Sequence, residues 1–160
     1  MQIETRLPRW VTSTLAVNLK TFIEDPANGI DCVFFVEGVD REIRQYFEDD
    51  SVVLRVTGPT IRFGAGRIRY KFEVMTLITD LVSDSHNRYQ PINYAAKIAN
   101  ELSAPIPVYQ YPDVDTQAGC LDWDRDSDEP LRIVHFGELD KDSEVIQAAV
   151  IAKYEICLDA

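Results

Sequence analysis

Between Arg67 and Val74 the chain alternates without a break, with Ile68, Tyr70, Phe72 and Val74 on one parity and Arg67, Arg69, Lys71 and Glu73 on the other. A period of two belongs to a strand with one face on a core and the other in water. The pattern runs on through "EVMTLIT", where Met75 and Leu77 turn the polar parity apolar. One end of this strand is therefore covered on both faces, while the other keeps a charged side. At ~3.3 Å per residue, Arg67 to Thr79 spans roughly 40 Å, about twice an ordinary strand. Such length predicts a hairpin extending past its own core. A second alternation closes the chain: Ile146, Ala148, Val150, Ala152, Tyr154, Ile156 and Leu158 form one apolar face.

The remaining elements fit around these two strands. Val11, Leu15, Leu19, Phe22 and Ile23 recur at helical spacing after Pro8, and Asp25-Pro26 with Asn28-Gly29 ends that helix. "IDCVFFVEG" reads as a short strand, "DREIRQYF" as a helical turn or two, and "SVVLRVTG" as a strand stopped by Gly58-Pro59. "PINYAAKIANEL" is a helix with Pro91 in its first turn and Ile92, Ala95, Ala96, Ala99 and Leu102 on its apolar face. "SAPIPVYQYPDVD" is extended, "DWDRDSDEP" an acidic loop, and "LRIVHFGEL" a strand. The expected fold class is α+β: a mostly antiparallel β-sheet with two α-helices packed on it and a long projecting β-hairpin.

Residues 1–160, 46% hydrophobic, suit a single domain with its own core. Nothing reaches the ~18 uninterrupted apolar residues of a membrane helix, so no membrane partner is expected. The start "MQIETRLPRW" lacks the apolar core of a signal peptide, which places the chain in the cytoplasm. Cys32, Cys120 and Cys157 are odd in number and widely spaced, as free thiols in a reducing compartment would be. With 27 acidic against 16 basic residues and a net charge of -11, the overall field repels nucleic acid.

Motifs that carry chemistry are tested and set aside. "GAG" beside arginines resembles a phosphate cradle, but it feeds a strand rather than a helix N-terminus, so a tight hairpin turn is expected there. Asp122, Asp124 and Asp126 have the opening spacing of a calcium loop, yet Ser127 replaces the turn glycine and Ile133 the bidentate glutamate. His135 falls inside a strand, where a packed or hydrogen-bonded role is expected, and His86 in a surface loop. No catalytic residue, cofactor site or metal site is expected.

Charge segregation is the informative feature. From Arg55 to Lys71 the charged residues are Arg55, Arg62, Arg67, Arg69 and Lys71, all basic. From Asp113 to Glu129 they are Asp113, Asp115, Asp122, Asp124, Asp126, Asp128 and Glu129 against Arg125 alone. Oppositely charged surfaces on one chain permit head-to-tail association, closing as a ring or running on as a filament. The alternatives are that both segments are solvated or that they pair within one subunit. In a ring, acidic groups lining a channel would let DNA pass without sticking.

The element order carries a resemblance over essentially the whole chain. The helix "VTSTLAVNLKTFI", the strand "DCVFFVEG", the long hairpin "VVLRVTGPTIRFGAGRIRYKFEVMTLITD", the helix "PINYAAKIANEL" and the closing strand "AAVIAKYEICL" resemble the tail terminator (tail completion) proteins of tailed bacteriophages. The resemblance implies a structural virion protein of the tail or neck, made in the host cytoplasm. It implies a homo-oligomeric ring, commonly a hexamer, that caps the tail tube protein and joins it to the head connector or head-closure protein. DNA would be only a passing, repelled polymer. Head-closure and tube proteins share related architectures, and the longer, more acidic loop "DVDTQAGCLDWDRDSDEP" leaves the exact neck component open. Two readings of other classes remain: an acidic inhibitor or immunity-type module that mimics DNA, and a hydrolase built around Cys120 and His135.

Overall fold

The structure, a computed structural model, describes residues 2–38, 50–81, 89–138 and 145–159. Helix α1 runs Leu7–Glu24 with proline in its first turn, and its stripe Leu7, Trp10, Val11, Leu15, Leu19 and Ile23 is buried. Thr14, β-branched and buried on that stripe, is a tether: its Oγ1 accepts a hydrogen bond from Tyr109 N–H at 3.2 Å. The helix stops where the Asp25 carboxylate accepts from Ala27 N–H at 3.0 Å and Asn28 Nδ2 donates to the carbonyl of Phe22 at 2.7 Å, satisfying an orphan end group.

Helix α2 runs Gln90–Leu102, and its buried face is Tyr94, Ala95, Ile98, Ala99 and Leu102 with Pro91. The face is rotated from the predicted one, with Ala96 exposed and Ile98 buried. Turning Tyr94 and Ile98 inward removes more apolar surface from water than Ile92 and Ala96 would.

The sheet is mixed and mostly antiparallel, with strand order β1-β2-β3-β7-β5-β4 and β6 also paired to β7. Its strands are β1 Val33–Val36, β2 Ser51–Gly64, β3 Arg67–Leu81, β4 Ile106–Tyr109, β5 Gln117–Trp123, β6 Leu131–Glu138 and β7 Val145–Asp159. The α+β class thus holds, with β1 and β2 the parallel pair. The helical turns read at "DREIRQYF" and the loop around His86 lie outside the described residues.

β3 and β7, the two alternating segments, pair with each other in one unbroken register from Arg67↔Asp159 to Leu81↔Val145. One face of this ribbon, including Ile68, Tyr70, Phe72, Val74, Ala152, Tyr154 and Ile156, is buried in the core that also holds the stripes of both helices. The predicted projection of a two-stranded arm is not what forms. β7 accompanies β3 to the turn, because its own apolar parity needs the same core.

β2 also differs from expectation, since it does not stop at Gly58-Pro59. It continues to Gly64 through a bulge between Thr57 and Thr60. Gly58 at φ 119 makes this possible, since a Cβ there would lie 2.7 Å from the carbonyl oxygen of Lys71. Pro59 is tolerated because the ladder with β1 ends at Leu54, leaving Pro59 on an edge. β5 was not foreseen. Its Gly119 rests against Ile156, where a Cβ would come within 2.7 Å of the Ile156 side chain. The close approach replaces the apolar alternation by which a strand is recognised.

Candidate functional site

β5 and β6 lie end to end along one edge of β7, Trp123 opposite Tyr154 and Leu131 opposite Ala152, with Lys153 between. Residues 124–130 leave that line and return to it at one point. Asp124 N–H donates to the carbonyl of Lys153 at 2.9 Å, and Lys153 N–H donates to the carbonyl of Pro130 at 2.7 Å. Both main-chain groups of a single residue thus pinch the base of the excursion. Inside it, Asp124 Oδ1 accepts from Asp126 N–H at 3.0 Å and Ser127 N–H donates to the carbonyl of Asp124 at 3.1 Å. This aspartate turn aims two carboxylates at the charged face of the ribbon.

There they meet the basic hairpin of the same chain. Lys71 Nζ lies 2.9 Å from Asp124 Oδ1 and donates to Asp126 Oδ2 as well. Arg69 Nη2 at 3.4 Å and Arg62 Nη1 at 3.5 Å share that second oxygen. Arg69 also donates to Glu155 of β7, whose side chain is 4% exposed, and Arg125 Nε stands 3.4 Å from the other oxygen of that carboxylate. Glu155 is the member that charge counting along the sequence missed. The signal for it was the pairing of the two alternations, which sets Lys71 opposite Glu155 and Glu73 opposite Lys153.

The electrostatics follow the contacts. The hydrogen bond from Lys71 is the main cause holding the Asp126 carboxyl below its ordinary value of 3.8. Burial pushes Asp124 upward, but the bonds from Lys71 and from Asp126 N–H outweigh it and hold that group low too. Lys71 is raised in return, by Asp126 and then Asp124.

The other charged residues of the two segments are elsewhere. Arg55 donates through Nη2 to Glu37 Oε1 at 2.7 Å. Arg67 is exposed at the hairpin tip and forms no ion pair among the described residues. Asp113 is occupied locally, accepting from Thr116 Oγ1 at 2.6 Å and Asp115 N–H at 3.0 Å, which lowers its pKa. Asp115, Asp122, Asp128 and Glu129 are exposed.

An open depression of ≈ 500 Å³ lies between the excursion and the β2 bulge, lined by Thr57, Thr60, Glu73, Ser127, Lys153 and the paired groups. Cations (Arg62, Lys71, Lys153) and carboxylates (Glu73, Asp124, Asp126) both line it, so it offers no single sign of charge to a ligand. Among the described residues no three His, Cys, Asp or Glu side chains converge as metal ligands.

Cys120 and His135 are not brought together. Trp123 faces Tyr154 and His135 faces Ala148, already about 20 Å apart along β7 at ~3.3 Å per residue, and Cys120 lies farther out on β5. His135 is exposed rather than packed, because β6 contributes an outer strand of the sheet. The three cysteines are free. Burial and then the Asp50, Asp80 and Asp31 carboxylates push the Cys32 thiol up to about 12, away from nucleophilic use. Compared with known proteins, the chain matches no protein-family model and no curated protein sequence.

Proposed function

We propose that the chain is a structural subunit of the phage tail-terminator kind, acting through its surfaces rather than through chemistry. Copies join into a ring that caps a tail tube and meets the head connector. The observation that supports this most is the β2–β3–β7 ribbon: it is long, its β3–β7 ladder is unbroken, and from Val56 to Gly64 its outer edge has no strand beside it among the described residues. An open edge of this kind is a template for joining copies.

The ionic network modifies how the ring would form. Arg62, Arg69 and Lys71 already engage their own Asp124 and Asp126, so these pairs brace each subunit. Joining falls to the charges that remain, Arg67 on one side and Asp115, Asp122, Asp128 and Glu129 on the other. Exposed carboxylates not used in joining would line the passage and repel DNA.

Light scattering and negative-stain microscopy, together with co-sedimentation on purified tail tubes, test the proposal. A specific oligomer, formed alone or on the tube, is expected. A strict monomer that ignores tubes would overturn it. The acidic-inhibitor alternative draws on Asp122, Asp128 and Glu129, but the pinning of Asp124 and Asp126 by Lys71 leaves it a smaller anionic surface. Tight, salt-sensitive binding to a basic nuclease would favour that alternative.

A further inference from the structure

The ribbon tip presents an exposed apolar side chain on one face and positive charges on the other. The turn Ala65-Gly66, with φ of 49 and 74, is a two-residue hairpin loop, which makes Gly64 and Arg67 a hydrogen-bonded pair. Alternation then points the N–H and C=O of Phe63 away from β3, toward the open edge. Phe63 is 57% exposed on the parity of Ile68, while Arg62 and Arg67 lie at the same tip on the opposite face of the ribbon.

The β4–β5 connection is the counterpart with the signs reversed. Val114 is also 57% exposed, between Asp113 and Asp115. Asp113 is held within its own turn, leaving Asp115 as the outward charge. β2 lies toward one end of the strand order and β4–β5 at the other, so a contact between these two surfaces in different copies is heterologous.

Resting on the ring reading above, we infer that the tip of one copy docks on the 113–116 turn of the next, Phe63 against Val114 and Arg67 against Asp115. Charge complementarity selects this occupant over a two-fold pairing of one β2 edge with another. Antiparallel self-pairing of that edge near the tip would bring the basic groups Arg62 and Arg67 of both copies close together, and like charges in close approach are unfavourable. Complementary signs also fix the direction, since basic tip and acidic turn can only alternate around the assembly.

The test is a charge exchange read by mass photometry over a dilution series, on tail tubes if the ring closes only there. Arg67→Glu and Asp115→Lys are each expected to raise the concentration of half-assembly about tenfold or more, and the double variant to return it close to the wild-type value. Thermal unfolding of dilute protein should be unchanged, because both side chains are exposed. Assembly unaltered in both single variants, or a double variant no better than either, would overturn this contact while leaving the ring standing. Absence of any assembly in the wild-type protein, with or without tubes, would instead remove the ring and this contact with it.

Discussion

The β3–β7 ribbon is one ladder with two differently covered halves. From Val74 to Leu81 both faces are apolar or half-buried: Val74 and Ile78 join the main core, while Leu77 packs with Phe35 and Val53 on the reverse side. From Arg67 to Phe72 the core side is equally buried, but the reverse side carries Arg69, Lys71 and Glu155 beneath the pinched excursion. The same backbone is thus covered by apolar contact at one end and by an ionic bridge at the other. Apolar cover responds to volume, ionic cover to pH and salt.

The comparison breaks most forcefully where the halves share a core. Phe72→Ala should lower stability by about 3–5 kcal/mol in a denaturant titration, since the side chain is 2% exposed in that core. A loss below about 1 kcal/mol would mean that the tip half is not packed as described.

Glu155→Ala removes the buried carboxylate between Arg69 and Arg125. Breaking a wholly buried pair is worth more, but Arg69 is 32% exposed and can turn to water, so a loss of about 1–3 kcal/mol is expected. The same denaturant titration should show this loss shrinking in high salt, unlike that of Phe72→Ala.

The deep half offers a change of opposite sign. Thr76 is buried and its hydroxyl has no hydrogen-bond partner among the described residues. Thr76→Val should raise stability by about 1 kcal/mol by removing an unsatisfied polar group, read as a higher unfolding midpoint. Destabilisation would reveal a partner for that hydroxyl.

The smallest effect separates the halves by acidity. Asp124 and Asp126 have folded-state pKa values below the ordinary 3.8, so their contribution is complete above that value and is lost as pH falls through the lower one. The wild-type advantage over Asp126→Asn should be present at about pH 6 and shrink progressively as pH falls below 3.8, with amide exchange rising at the tip before the deep half. An advantage unchanged across that range would remove Asp126 from the bridge.

Much of this was legible in the chain before its structure. The long alternations named β3 and β7, and Pro8 with the spacing of Val11, Leu15 and Leu19 named α1. β5 was hidden because Gly119 meets Ile156 by close approach, and because its ladder with β7 is only Asp122↔Glu155 and Trp123↔Tyr154. Gly58-Pro59 read as a stop because a bulge depends on the carbonyl of Lys71, a residue of another strand. The segregation of charge was visible, but a charge carries no address: whether Lys71 meets Asp126 of its own copy depends on the pinch at Lys153, which no local pattern announces.

The claim at the centre is that Lys71, Asp124 and Asp126 form their bridge inside one subunit. Thermal unfolding of Lys71→Met against wild type, over a hundredfold range of protein concentration, tests it most directly. The bridge predicts a lower midpoint by the same interval at every concentration. A difference that vanishes on dilution would show that these charges join separate copies instead.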